Sequence, residues 1–559
     1  MSKSLWGMGL SLLVAAGCSS STPTQPPLAP CTATSGGQVS LGIGAYTAVD
    51  PTQTAGCAVF PANPAGSTIE YLVVPQSASS IPDDSQGFTL GGTALAALSA
   101  PGASLVASLG VAQQFDLRLR LAEREFAAQV PRPLRAPPRI SVAATPVDSG
   151  NVRTFKVCNT LNCDPRKPST LSSVTATALK VGTHIAIYVD NAAPQPGPTQ
   201  SDLDNLRAVF DTRLYETDTL AFGSESDIDN NGMVIVLMSA RVNSMVTAAQ
   251  CTTTGFVAGY FFGADLITTP PFATGNNGEI FYSIVPDPSG TLSCAHSVVA
   301  VSQIVPVTFV HEFQHMISYN QHVLKRGGKA EILWLNEAMS HYAEERGGRN
   351  FLPGDSLNYC RYVAGDVYNA GLYLTKPDSS FLVDTTGIGG LANRGAYWLF
   401  LRYLIDQYAP DTLRVAVDAY THALDNTSAT GVTNVMQHAN NTPFATLVSR
   451  WGLANWVSDL PGFTAPPELT YKTWSFRAAY ATPSPWTCSN AIPVTFPLAP
   501  ATGAGPTLNL SGKLRAGSGM YFRVQQPGAG AGFTTLFSDA SGRALRNTLV
   551  PRLTLIRIQ

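Results

Sequence analysis

The chain has 559 residues, too many for one compact core, and a prior of roughly one domain per 150 residues predicts about three units. Lys and Arg together number 35 against 37 Asp and Glu, so neither sign of charge dominates to favour nucleic acid or an anionic membrane surface as a partner. Charged residues make up only 13% while Gly (48) and Pro (40) are abundant, which excludes a charge-dense helical protein and fits a loop-rich, β-containing secreted one.

The first seventeen residues read as a signal peptide. Lys3 supplies the positive region, and Leu5 to Ala16 form an apolar stretch too short to span a bilayer. The end of that stretch, Val14-Ala15-Ala16-Gly17-Cys18 followed by Ser19, resembles the lipobox of bacterial lipoproteins, with Ala15 where Leu is commoner. That resemblance implies acylation of Cys18, a flexible tether over 18–35, and a place outside the cytoplasm on the cell envelope. In a cell with two membranes the outer one is expected, because Ser19 is not Asp. Eight cysteines remain, an even number that points to disulfides in an oxidising compartment. Nearness in sequence favours Cys31 with Cys57, Cys158 with Cys163 and Cys251 with Cys294, leaving Cys360 with Cys488; a structural zinc site of cysteines is disfavoured by the lack of any C-x-x-C pair.

Residues 36–120 carry short alternating runs, Val39 to Ile43 and Ile69 to Val74, between Gly and Pro clusters, and predict an N-terminal β-domain of sandwich type. Residues 121–150 open with a short charged helical stretch and turn proline-rich, as a linker does. The segment 151–465 mixes strands (Thr183 to Val189, Met233 to Met238, Glu279 to Ile284) with helices. One helix starts near Ser201 as its cap, and others follow at about 302–321, 332–346, 394–408, 411–423 and 443–457. Residues 466–559 return to β runs with Gly-rich turns, a C-terminal β-domain. The fold class expected is α+β.

Chemistry is concentrated at His311-Glu312-Phe313-Gln314-His315. Residues four apart on a helix share a face, so His311 and His315 converge on one ion, and Glu312 reaches the water that ion binds. Phe309, Val310, Phe313, Met316 and Ile317 supply the helical periodicity, with Pro306 placed in the first turn. A catalytic zinc takes three protein ligands, and Glu337 in Trp334-Leu335-Asn336-Glu337 is the third candidate, on a second helix that Gly327 and Gly328 allow to fold back. His341, four residues further, is a supporting donor or an alternative ligand, and Glu344 is placed to orient an imidazole. The oxyanion donor is left open between Tyr397 and His341.

H-E-F-Q-H-M-I followed by W-L-N-E-A-M-S-H-Y-A-E-E is similar to the hyicolysin-type neutral metallopeptidases, a branch of the class with H-E-x-x-H and a downstream Glu. The similarity extends over roughly 150–460, through Asp227-Ile228-Asp229-Asn230-Asn231-Gly232, Gly278-Glu279-Ile280-Phe281-Tyr282 and Arg394-Gly395-Ala396-Tyr397-Trp398-Leu399-Phe400. It implies a thermolysin-like catalytic domain, zinc held by His311, His315 and Glu337, and Glu312 as the catalytic residue. The expected activity is zinc-dependent endopeptidase cleavage of protein or peptide substrates by a lipid-anchored monomer that uses no nucleic acid. The competing class is a surface lipoprotein whose zinc fold is a scaffold for binding glycans or proteins; an intact Glu312 argues against it. The Asp227 to Gly232 run matches the first half of a calcium loop, but position twelve is Met238 within a strand, so a tight polar turn is the reading adopted.

Overall fold

The structure is a computed structural model that describes residues 25–92, 110–129, 147–387, 390–481, 486, 488–489 and 492–559. The signal peptide, the expected acylation site at Cys18, the first part of the tether and the proline-rich stretch of the linker lie outside the described residues.

Four N-terminal strands, β1 (Tyr46–Val49), β2 (Cys57–Phe60), β3 (Ile69–Ser77) and β4 (Ser85–Gly92), do not make a domain of their own. They interleave with the C-terminal strands. Six strands come between, β5 (Val152–Cys158), β6 (Leu171–Val181), β7 (Ile185–Asp190), β8 (Val234–Met238), β9 (Gly259–Phe261) and β10 (Ile280–Ser283). The last five are β11 (Ala501–Ala504), β12 (Asn509–Arg515), β13 (Phe522–Gln526), β14 (Phe533–Asp539) and β15 (Pro551–Arg557). One sheet runs β1-β15-β3-β13-β11 and the facing sheet β12-β4-β14-β2. The two flanking β-domains expected from the sequence are therefore one sandwich assembled from both ends of the chain. Val73 and Leu555, partners across β3 and β15, share its core with Leu90, Phe533 and Phe537 of the facing sheet.

Every residue of β3 is buried, which a strand with one wet face cannot show. Tyr71 and Val73 point into the sandwich, while Leu72 and Val74 point into the larger core shared with the rest of the molecule. Gln76 adds a polar link: its Nε2 donates to Ser449 Oγ and to Thr554 Oγ1, both at 3.1 Å.

The central sheet runs β5-β6-β7-β8-β10-β9, with β7, β8 and β10 parallel and β9 an antiparallel edge. Helix α1 (Val111–Gln129) precedes it. Then come α2 (Gln200–Val209), α3 (Tyr215–Phe222), the short α4 (Ala240–Asn243) and α5 (Ala248–Thr253), α6 (Val298–Tyr319), α7 (Leu333–Arg349), α8 (Ser356–Thr375) and α9 (Leu391–Tyr408). Four local expectations need correction. Helix α1 is far longer than the charged stretch at 121–125, and its buried Phe115, Leu119 and Phe126 belong to the main core. The cap of α2 is Thr199, whose hydroxyl accepts from Asp202 N–H while the Asp202 carboxylate returns a bond to Thr199 N–H; that reciprocal box outcompetes Ser201. Val39 makes only part of an isolated bridge at Gln38 and Val59, so the first strand is β1. Helix α6 begins at Val298, capped by Ser297, which puts Pro306 inside the helix rather than in its first turn.

Four disulfides join Cys31–Cys57, Cys158–Cys163 and Cys251–Cys294, the pairs that nearness in sequence favours, and Cys360–Cys488, the pair that those three leave. The last ties α8 to the segment before β11. With Trp474 donating to Glu345 in α7, and Leu469, Tyr471, Phe476, Tyr480 and Trp486 in the main core, the described residues from 466 to 489 pack with the helical body rather than with a C-terminal domain. Among the described residues no helix is long and apolar enough to cross a membrane.

Because the sandwich is built from both chain ends, Leu555→Ala should destabilise N-terminal strands as well as its own. We expect a loss of about 2–5 kcal/mol in urea unfolding. Hydrogen exchange should show lowered protection in β3 along with β15; loss confined to β15 would argue for separate domains.

Candidate metal centre

From Phe309 to Tyr319 every residue of α6 is buried, so the H-E-F-Q-H turn lies inside the molecule rather than on a wet surface. After α6 the chain widens through a π-helical turn, Asn320–Leu324, and reverses at Gly327, whose φ of +59° suits glycine. A Cβ on the next residue, Gly328, would stand 2.9 Å from the His322 carbonyl. The reversal lays α7 against α6 and brings Glu337 opposite the two histidines.

The resulting geometry is specific. The Nε2 atoms of His311 and His315 face each other at 3.2 Å. Glu337 Oε1 lies 3.4 Å from His315 Nε2, and Glu337 Oε2 lies 3.7 Å from His311 Nε2. The far nitrogens are already committed: His311 Nδ1 donates to Glu344 Oε1 at 2.7 Å and His315 Nδ1 to Asn336 Oδ1 at 3.0 Å. A neutral imidazole that spends its proton on Nδ1 turns a lone pair outward at Nε2. Two such lone pairs 3.2 Å apart repel unless a cation lies between them. Glu337 is 1% exposed, and among the described residues neither of its carboxylate oxygens has a hydrogen-bond partner, although Arg394 Nη1 stands 2.8 Å from Oε2 in an ion pair. The donor set of two imidazoles and one carboxylate fits a metal ion, and its atoms lie within 4.8 Å of one another.

Electrostatics follow from burial and neighbours. Burial works to raise the Glu337 pKa, but the Arg394 guanidinium and then His311 outweigh it and hold it at about 2. Burial lifts Glu312 to about 7 against the opposing pull of His311 and Arg120. Burial, then the positive charge of Arg120, pushes His315 well below the usual histidine range. Burial works to lower the His341 pKa, yet the Glu344 and Asp366 carboxylates, with Asp366 Oδ1 2.9 Å from Nδ1, raise it to about 10 and keep the ring cationic.

The sequence placed His311, Glu312, His315 and Glu337 together, and the structure brings all four to one locus. Glu344 takes the orienting position expected of it. Tyr397 is different: its buried hydroxyl donates to Asp384 Oδ1, a bond that commits it away from the histidines. Sequence reasoning expected only the short helix at 121–125 and missed the first part of α1, Val111 to Arg120. Its Asp116 bridges Arg394 Nη2 at 2.7 Å and Arg120 Nε at 3.3 Å, and Arg120 Nη2 reaches to 3.9 Å from Glu312 Oε2. Arg120 also donates to the Phe261 carbonyl at 2.8 Å, while Glu312 Oε2 accepts the Phe261 N–H at 2.9 Å and Glu123 the Gly263 N–H at 2.8 Å. Side chains thus engage the backbone at the end of edge strand β9. The signal was present in the helical spacing of Val111, Phe115, Leu119 and Phe126, with Asp116, Arg120 and Glu123 at i, i+4 and i+7. A cleft opens beside the centre, walled by β9 at Tyr260, by α6 at Thr308, His311 and Glu312, and by His341 and Glu344 of α7.

A second grouping of Cys251, Cys294 and His296 also has metal-ligand chemistry, but its two sulfurs are joined to each other.

No protein-family model matches the chain. A stretch of 147 residues, 26% of the chain, is 29% identical to the neutral metalloprotease ShpI of Staphylococcus hyicus. The matched stretch spans 31% of that protein, under a third of its length. The likeness supports a metallopeptidase relationship over that part of the chain.

Glu344→Gln removes the charge that His311 Nδ1–H is bonded to. It should weaken metal binding about 10–100-fold in competition against a chromophoric chelator, with the far-UV spectrum unchanged; unaltered affinity would deny Glu344 its orienting role.

Proposed function

We propose that the chain is a zinc-dependent endopeptidase of thermolysin-like layout, held outside the cytoplasm by a lipid on Cys18. The observation that carries the reading is the pair of Nε2 atoms 3.2 Å apart, closed by Glu337, with Glu312 next along the same helix and lining the cleft. Ligand atoms on a tetrahedral zinc with bonds of about 2.0–2.1 Å stand roughly 3.3 Å apart. The separations of 3.2, 3.4 and 3.7 Å fall around that value. Zinc bound there supplies Lewis-acid polarisation of a scissile carbonyl and acidification of water.

The chain's own residues do the rest. Glu312 sits where it can take a proton from the attacking water and pass it to the leaving amine. Its carboxylate is fixed by the Phe261 N–H, so the second oxygen is oriented without a search. Of the two candidates for stabilising the developing oxyanion, His341 is favoured, because it lines the same cleft and is held cationic by Glu344 and Asp366, while Tyr397 is bonded to Asp384. The four disulfides fit an oxidising compartment. Protein or peptide is the substrate class, and the chain acts as a monomer.

Glu312→Gln should retain stoichiometric zinc yet lower casein hydrolysis by at least about a hundredfold; undiminished cleavage would reject the mechanism. His341→Gln should lower kcat by about 10²–10³ with KM little changed, and a KM effect alone would move His341 from transition-state donor to substrate contact.

A further inference from the structure

The run from Asp227 to Gly232 lies in the loop between α3 and β8, outside the histidine centre. Asp227 Oδ1 accepts the N–H of Asn231 at 2.9 Å and of Gly232 at 3.1 Å, and Gly232 turns the chain at a φ of +69°. Taken along the chain, the match to a calcium loop stops there, since position twelve falls on Met238 in β8. In space the missing carboxylate is present. Glu279, immediately before β10, brings a ligand oxygen within 4.8 Å of those of Asp227 and Asp229. That is the span bridged by two bonds of about 2.4 Å, the usual calcium–oxygen length.

The neighbours of each oxygen show what the cluster lacks. Glu279 is 1% exposed; its Oε1 accepts from Ser226 Oγ at 2.5 Å and Ile228 N–H at 3.1 Å, while its Oε2 has no hydrogen-bond partner among the described residues. Asp229 Oδ2 takes Asn231 Nδ2 at 2.9 Å and Arg153 Nη1 at 3.4 Å, while its Oδ1 is likewise buried and without a hydrogen-bond partner. Two orphaned buried carboxylate oxygens from separate parts of the chain therefore belong to one cluster of three carboxylates, in which Arg153 pairs with Asp229. A buried acceptor left unmade is costly, and a hard cation with oxygen ligands relieves both oxygens and the charge excess together. With no imidazole or thiolate in the set, the chemistry selects calcium over zinc.

We propose that Asp227, Asp229 and Glu279 form a calcium site that pins the loop after α3 to the start of β10. The site is independent of the histidine centre and stands or falls apart from the peptidase reading.

The test is calorimetric titration of the zinc-loaded full chain, dialysed free of calcium in zinc-containing buffer, with calcium chloride and in parallel with magnesium chloride. The expected result is saturable calcium binding with a Kd of about 10⁻⁴–10⁻³ M or tighter, weaker magnesium binding, and a higher Tm with calcium. Asp227→Asn, at an exposed position and able to keep both backbone bonds, should weaken calcium at least tenfold. Glu279→Gln should remove binding while raising the Tm of the calcium-free protein, because it relieves the repulsion. No saturable heat up to 10 mM calcium, or variants that titrate like the parent, would overturn the proposal and leave the run as a polar turn.

Discussion

A carboxylate that is 1% exposed and ionised cannot stand alone, and the helical body is arranged around that fact at Glu337. Arg394 of α9 meets its charge from one side, and on the other its oxygens face the lone-pair nitrogens of His311 and His315 across the space a cation would fill. Arg394 in turn needs Asp116, which needs Arg120, which reaches back to Glu312. The chain of charges runs from α7 through α9 and α1 to α6 and closes on the same centre. Removing any one member leaves another buried and unpaired, so the helices cannot shift independently without exposing a charge to an apolar interior.

The same logic explains why α6 is so apolar around its chemistry. A helix whose histidines are 7% and 1% exposed must bury everything between them, and Phe309, Phe313 and Met316 do so against the sheet and α3. Phe309 meets Phe210 and Phe281 edge to face, which fixes the roll of the helix and hence the direction of the imidazoles. The sandwich lies outside the histidine centre, but β3 forms a wall of both cores at once, with Leu72 and Val74 in one and Tyr71 and Val73 in the other.

Legibility in the sequence followed the range over which each feature is encoded. His311, Glu312, His315 and Glu337 are related by helical spacing and a glycine reversal, and both are local, so their convergence could be read directly. Glu344 was readable for the same reason, one face of one helix. Arg394 and Asp116 meet Glu337 only through tertiary packing, across separations no periodicity records, and α1 was obscured because its apolar positions were taken for the end of a β-rich segment. The strands at both ends were recognised as strands, but strand patterns carry face and length rather than partner identity, and β3 pairs with β15 across nearly the whole chain. The misplaced cap of α2 and the early start of α6 are boundary effects of two and four residues. Glu279 shows the limit most clearly: a motif that fails along the chain is completed by a residue on another strand.

The account rests on a metal ion lying between two imidazoles and Glu337. Anomalous diffraction from crystals of the purified full chain, collected above and below the zinc absorption edge, tests it directly. The account predicts one strong zinc-specific peak about 2.0–2.2 Å from the Nε2 atoms of His311 and His315 and from a Glu337 oxygen. No zinc signal there, or the sole peak elsewhere in the molecule, would contradict it.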